Sequence, residues 1–295
     1  MHQQLYGAIE FGGTKTICAI GYASGELAAQ ANFLTTSIDE TLGNIYQFFG
    51  ANEPISALGV GAFGPLNLDI ASPDYGAMHN TPKPGWENVN LKTLLSERFK
   101  VPITIDLDVN AAALGELHFG VAKGLNNFVY LTLGTGIGGS LIMDGKVAHG
   151  IRNLEMGHMR IPHETFSNGF EGTCPFHKDC LEGIASGYAM EQRYHQKAEQ
   201  LDSAAYETIW GLEASYIAVA LNNIMMTFGP EVIILGGSLM KNTGMLKAIR
   251  HDVATHINGY MTFPDLNTYI IRSSGETNGV LGAIQLAAQS AANSQ

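Results

Sequence analysis

Apolar residues along this chain recur first at strand spacing and then at helix spacing, and glycines stand where the spacing changes. Residues 5–20, LYGAIEFGGTKTICAI, read as an apolar strand, a tight Gly12-Gly13 turn and a second apolar strand returning beside the first. Residues 38–50 (IDETLGNIYQFFG) have helical spacing, and ISALGVGAFGPLN (55–67) reads as a buried strand running into a Gly-Pro turn. That order implies a mostly parallel sheet. A helix is predicted over 91–99. In VPITIDLDVNAAALGELHFG (101–120) an apolar strand through Ile103 and Ile105 runs into a strong helix former, Ala111 to Leu117.

The opening pattern then recurs. FVYLTLGTGIGGSLIMDGKV (128–147) repeats strand, Thr/Gly-rich turn, strand and second turn, with Asp144-Gly145 matching Ser24-Gly25 of the first copy. Residues 203–230 hold apolar positions three and four apart and stop at Gly229-Pro230, a long helix and its end. EVIILGGSLM (231–240) predicts a buried strand opening into Gly236-Gly237. A Gly-rich turn follows, then a terminal helix from about Val280 whose last residues, NSQ, are expected to fray. Duplication of a glycine-tipped hairpin predicts two similar α/β domains facing each other across a cleft, with both tips directed at one phosphate chain.

Composition narrows the partners. The 295 residues, 45% hydrophobic and 15% charged, suit a soluble globular protein of two domains. Sixteen basic against twenty-seven acidic residues give a net charge of -11, and no Lys/Arg cluster tracks a phosphate backbone, so nucleic acid is not expected as a partner. No basic segment followed by an apolar run opens the chain and no long apolar window exists, which predicts no membrane association and a cytoplasmic location. Three cysteines, with Cys18 in a predicted buried strand, fit a reducing compartment.

Candidate chemistry gathers at the turns. Glycine at positions 12 and 13 lets backbone N–H groups approach an anion, and Thr14 and Lys15 add a hydroxyl and a charge; a plain turn is the alternative. The P-loop spacing is absent. At the Gly236-Gly237 pair a ring or ribose could pack against the backbone, again with a plain turn as the alternative. Asp106 and Asp108 lie near the carboxyl end of a strand, where α/β sheets do chemistry. Either could serve as a base, and either Asp108 or Asn110 could simply cap the helix. The loop 78–90, rich in structure breakers, offers Asn80 and Trp86 as substrate contacts, or as a turn residue and a core cover.

In the segment 154–186, Cys174, His177 and Cys180 form C-x2-H-x2-C, with His158 sixteen residues before Cys174. Two Cys sulfurs and two His nitrogens make a closed, structural zinc set. Glu155 and Glu182 lie within three residues of these ligands, so a metal that fixes the loop would also hold two acids suited to hydroxyl groups of a polar substrate.

These motifs together resemble the ROK family of sugar kinases and regulators, and within it the bacterial fructokinases, over nearly the whole length. EFGGTK (10–15) is similar to the family's first phosphate motif, with Glu10 where Asp is usual. LTLGTGIGG (131–139), with Thr132, Gly134, Thr135 and Gly136, resembles the second, and VIILGGS (232–238) the adenosine motif. DVNAAALGE (108–116) resembles the segment carrying the catalytic aspartate, which places that role on Asp108; Leu107 stands where family glucokinases commonly have Asn. EMGH (155–158) matches the E-x-G-H signature, whose Glu and His contact sugar hydroxyls while the His also binds zinc, and Glu182 corresponds to a further sugar-binding Glu. The family's zinc segment usually carries three cysteines, and here His177 takes one of those positions.

The resemblance implies an actin-like, ribonuclease-H-like fold with two domains. The first is expected over 1–117 with the terminal helix, 280–295, packing back on it, and the second over 118–279 with the zinc loop. It also implies ATP, Mg2+ and structural Zn2+, and phosphoryl transfer to a hexose hydroxyl, fructose above glucose, mannose or N-acetylhexosamines. A homodimer is the expected assembly. The family's sugar-sensing transcription regulators are the alternative from another class; they need a DNA-binding segment before the first hairpin, which here begins at about Leu5.

Overall fold

The computed structural model of the protein describes residues 4–52, 54–81, 83–162, 169–201 and 209–293. The expected start of the long helix (203–208) and the last two residues of the expected fraying end lie outside these.

The chain divides into two compact units. Unit 1 comprises Met1–Gly124, His149–Asn153 and Ser274–Gln295, and unit 2 comprises Leu125–Ala148 and Leu154–Ser273. The sequence places its divisions a few residues away, after 117 and 279, and gives no sign that 149–153 returns to the first unit.

In unit 1 the elements run β1 (Leu5–Phe11), β2 (Lys15–Tyr22), β3 (Leu27–Leu34), α1 (Ile38–Gly50), β4 (Leu58–Ala62), α2 (Leu91–Arg98), β5 (Ile103–Leu107) and α3 (Asp108–Phe119). They build a sheet of order β3-β2-β1-β4-β5, antiparallel from β1 to β3 and parallel from β1 to β5. Strand β3 is not predicted by the pattern, and the reason is chemical. Leu27, Ala29, Ala31 and Phe33 are half-buried while their neighbours face solvent, so the alternation is real but two of its four apolar members are alanines. Helix α1 starts where Ser37 accepts a hydrogen bond from the Glu40 N–H, with Asp39 and Glu40 in its first turn.

Alternate residues of β1 enter different cores. Ile9 and Phe11 pack with Val60, Leu91 and Trp86, whereas Tyr6 and Ala8 pack with Val280, Ala283 and Ile284 of the C-terminal helix, Asn278–Asn293. That helix lies very close to the sheet and to α3: a Cβ on Gly59 would stand 1.8 Å from the Ala283 carbonyl oxygen, and one on Gly282 1.7 Å from that of Ala111. Glu116, fully buried in α3, accepts hydrogen bonds from Asn278 Nδ2 (2.6 Å), Ser274 N (2.8 Å) and Val121 N (2.9 Å), which fixes the turn entering the C-terminal helix.

Unit 2 contains β6 (Phe128–Leu133), β7 (Ile137–Met143), β8 (Lys146–Val147), α4 (Leu181–Ala185), α5 (Gly187–Tyr194), α6 (Ile209–Phe228), β9 (Val232–Gly236), α7 (Met245–Ile257), α8 (Leu266–Tyr269) and β10 (Ile270–Arg272). Its sheet order, β10-β9-β6-β7-β8, is that of unit 1 read from the other end, with β6 in the place of β1. The duplicated hairpin therefore marks a duplicated sheet. Helix α7 buries Met245, Ile249, Val253 and Ile257, a four-residue spacing. Among the described residues no helix is long and apolar enough to cross a membrane.

Candidate active site

Each glycine hairpin has its carbonyls occupied from behind. In unit 1 the Gly12 carbonyl accepts from Thr35 Oγ1 (2.8 Å), the Gly13 carbonyl from Lys83 Nζ (2.8 Å) and the Thr14 carbonyl from the Thr35 N–H (2.9 Å). Among the described residues the exposed Gly13 and Thr14 N–H groups donate to nothing. In unit 2 the Gly134 carbonyl accepts from the Gly187 N–H (2.8 Å) and the Thr135 carbonyl from the Tyr188 N–H (3.2 Å), at the start of α5. In unit 1 the bound carbonyls and free amides present donors to an anion, whereas in unit 2 the Gly134 N–H is turned onto the Gly136 carbonyl (3.0 Å). Lys15 begins β2, exposed, with Glu276 3.8 Å away. Thr132, next to last in β6, pairs with Gly138 on one side and Gly236 on the other.

The structure gives the paired aspartates different surroundings. Asp106 is buried at the end of β5 and is consumed by its neighbours: its Oδ1 accepts from Asn110 Nδ2 (2.6 Å) and the Leu107 N–H (2.7 Å), and its Oδ2 lies 3.1 Å from His149 Nε2. Asp108, the first residue of α3, is half-buried, and its carboxylate accepts from the Val109 N–H at 2.8 Å and is also held by its own N–H. Burial pushes its carboxyl up to about 6, against those two backbone N–H groups. Neither Asp108 nor Asn110 caps α3; the capping position is Leu107, whose side chain is in the core.

Glu10 is a residue for which sequence reasoning found no task. Burial and then the charge of Asp108 push its carboxyl up to about 7. Among the described residues its buried Oε2 has no hydrogen-bond partner, and a Cβ on Gly279 would stand 2.3 Å from it. An orphaned, buried carboxylate oxygen beside a second carboxylate suits a cation. The signal was the acid at the end of the first strand, which spacing alone does not distinguish from a strand-edge residue.

In the loop 78–90 the Met78 N–H donates to the Val89 carbonyl (2.8 Å), and the His79 N–H to the carbonyl of Pro65 outside it (3.0 Å). Asn80 sits in it with a left-handed backbone (φ 52°), half-buried. Trp86 is a core residue: fully buried, it donates its indole N–H to the Thr36 carbonyl (2.9 Å) and meets Phe11 edge-on at 5.8 Å.

In unit 2 a short pairing of Arg160 with Cys180, extended by the Leu181 N–H on the Met159 carbonyl (2.9 Å), brings His158 beside Cys180. The tight turn from Cys174 to Lys178 brings His177 back toward Cys174. The result is one cluster: one ligand atom from each of His158, Cys174, His177 and Cys180 lies within 4.8 Å of the other three. Cys174 Sγ is 3.7 Å from His158 Nδ1 and 3.6 Å from His177 Nδ1, and Cys180 Sγ is 3.5 Å from His158 Nδ1. Sulfur and nitrogen bound to one tetrahedral zinc stand about 3.6 Å apart, given the usual Zn–S and Zn–N lengths. The donor set and its edges fit that ion.

Glu155 is exposed, and its carbonyl accepts from the His158 N–H (2.9 Å). Glu182, in α4, reaches the second glycine hairpin instead of the metal cluster: its Oε2 accepts from the Ile137 N–H (2.9 Å), and a Cβ on Gly136 would stand 2.6 Å from it. The Gly236-Gly237 pair has a structural reason of its own. Gly236 has the Tyr130 hydroxyl 2.3 Å from where a Cβ would be, and Gly237 has φ +89° with the Leu133 carbonyl oxygen 2.3 Å from that position.

The ROK family profile matches residues 6–290. The chain is 41% identical over 285 residues to a fructokinase of Lactococcus lactis subsp. cremoris, covering 96% of either chain. It is 38% identical over 291 residues to a fructokinase of Zymomonas mobilis subsp. mobilis, covering 97% of either chain. Among solved structures it resembles a ROK hexokinase from Thermus thermophilus with a TM-score of 0.80, at 24% identity, over 98% of this chain and all of that one.

Proposed function

Because the chain belongs to the ROK family, we propose that it is an ATP-dependent hexose kinase that phosphorylates fructose to fructose 6-phosphate. Asp108 carries the reading. A carboxyl titrating at about 6 is mostly ionised at neutral pH yet basic enough to take a hydroxyl proton as the oxygen attacks phosphorus. The helix N-terminus behind it favours the anion that must be present beforehand.

Phosphoryl transfer asks the protein chiefly to position groups and neutralise charge. The free amides of Gly13 and Thr14, with Lys15 and the Gly134–Gly136 tip, are the proposed triphosphate donors. Thr132, Gly236 and Gly237 are proposed nucleotide contacts. Glu10 is the residue that would hold Mg2+, which neutralises phosphate charge when bound.

Asn80, Glu155, His158 and Glu182 are proposed to orient the sugar. His158 directs Nδ1 at the cysteine sulfurs, so with Zn2+ on Nδ1 its Nε2 would carry the proton and could donate to a sugar hydroxyl. Zn2+ in the four-donor cluster is proposed as structural, since a closed set leaves no position for water. The acidic balance, net -11, supports a small-molecule partner over nucleic acid. The proposal includes a cytoplasmic homodimer, which sedimentation of the purified protein tests.

The decisive experiment is ADP release with fructose, glucose, mannose and N-acetylhexosamines. Fructose is expected to give the highest kcat/KM. Turnover of none of these sugars would overturn the kinase assignment, and a preference for another would move the substrate within the family.

A further inference from the structure

One ammonium group joins two parts of unit 1 to which the proposed reaction gives different ligands. Lys83, half-buried in the loop 78–90, donates from Nζ to the Gly13 carbonyl at 2.8 Å and to the Thr35 carbonyl at 2.9 Å. Gly13 is the glycine tip itself. Thr35 is the residue whose hydroxyl and N–H hold the carbonyls of Gly12 and Thr14. The same loop carries Asn80 and is seated by Trp86, whose ring meets Phe11, the residue just before the tip.

Two features go beyond what a loop anchor requires. An anchor to two neutral carbonyls needs only a neutral donor, whereas Lys83 is a cation, and among the described residues it forms no ion pair. An ammonium also has three N–H bonds, and two are used here. A half-buried cation with no anion, hydrogen-bonded to the tip that would receive a triphosphate, is better compensated once the phosphates arrive. The loop it belongs to is then held more firmly, and with it Asn80.

We propose that Lys83 is a positioning residue that couples the two substrates: nucleotide at the Gly12–Lys15 tip tightens sugar binding at the 78–90 loop, and sugar tightens nucleotide by the same factor. The reciprocity is thermodynamic, and couplings of this kind are typically about 5- to 150-fold. The inference rests on the kinase assignment above.

The test is titration calorimetry of a non-hydrolysable ATP analogue with Mg2+, with and without saturating fructose, and of fructose alone, on the wild type, Lys83→Arg, Lys83→Gln and Lys83→Met. Fructose is expected to tighten the analogue at least about 5-fold in the wild type, partly in Lys83→Arg, and hardly at all in Lys83→Met. Lys83→Met should also raise both KM values while the affinity for fructose alone changes little. A purely structural anchor would instead weaken fructose alone to the same extent and be repaired as well by Lys83→Gln as by Lys83→Arg. Coupling in Lys83→Met equal to the wild type, none in the wild type, or equal rescue by Gln would overturn the proposal. A wild type that turns over fructose normally while failing these tests refutes only the coupling; one that phosphorylates no sugar refutes the kinase reading and the coupling with it.

Discussion

Glu182 Oε2 accepts a hydrogen bond from the backbone N–H of Ile137 at 2.9 Å, so the helix that follows the last cysteine of the metal cluster is bonded to the end of the second glycine hairpin. The sequence placed this acid with the sugar; the structure ties it to the proposed phosphate tip as well. The two tasks can be separated. Glu182→Gln keeps an acceptor for Ile137 and loses the charge, and is expected to raise KM for fructose while leaving KM for ATP within about twofold. Glu182→Ala leaves that N–H without its acceptor and should raise both, by roughly 10- to 100-fold, as loss of a hydrogen bond to a charged group implies. Steady-state kinetics in both substrates decides it, and identical effects of the two variants would show that the Ile137 bond is idle.

Asp108→Asn removes a base and almost no volume, so kcat should fall at least about 100-fold while both ligands still bind by calorimetry. Retention of more than about a tenth of kcat would remove Asp108 from its role. Asp106→Asn should keep far more activity and instead lower the melting temperature. The amide keeps an oxygen for Leu107 N–H and Asn110 Nδ2 but puts an NH2 where Oδ2 faces His149 Nε2 and removes the charge, at a cost of about 1–3 kcal/mol.

The pH dependence follows from Asp108 and Glu10. With Asp108 as base at about 6, kcat should drop roughly tenfold per pH unit below that value and flatten above it. The stability effect has the opposite direction. Both carboxyls are raised from ordinary values of 3.8 and 4.5 to about 6 and about 7. Their contribution is therefore fully present below pH 3.8 and lost as pH rises through about 7. Asp108→Asn should match the wild type in melting temperature near pH 4 and exceed it near pH 7. A gap that stays constant across that range would show that Asp108 is not held at a raised value.

Elemental analysis should find about one zinc per chain. Cys180→Ser should lose it, melt at lower temperature, and raise KM for fructose, because metal binding contributes folding free energy to the loop that holds His158 and Glu182. Since Glu182 also touches the Gly136–Ile137 turn, a smaller rise in KM for ATP is expected too. Zinc-free protein with full activity would refute the metal.

What the sequence determined was whatever depends on local pattern. The two hairpins, α1, α2, β5 and the C-terminal helix are legible because apolar spacing and glycine turns are properties of neighbouring residues. The four metal donors are legible because their residue types and short spacings carry the chemistry with them. Where the signal was weak, pattern could not find the strand: the half-buried alternation of β3 is diluted by alanine, and three-residue β10 is completed by pairing with β9, more than thirty residues earlier. Tertiary structure alone decided what depends on approach. It gave Asp106 to Asn110 and His149 and Asp108 to adjacent backbone N–H groups, which gives different surroundings to two acids that spacing could not tell apart. It buried Trp86 as core, left Glu10 with an orphaned oxygen, set Lys83 on two carbonyls of the tip region, and carried Glu182 to Ile137. Burial and hydrogen-bond partners set the ionisation and reach of these groups, and both come from segments far apart in sequence.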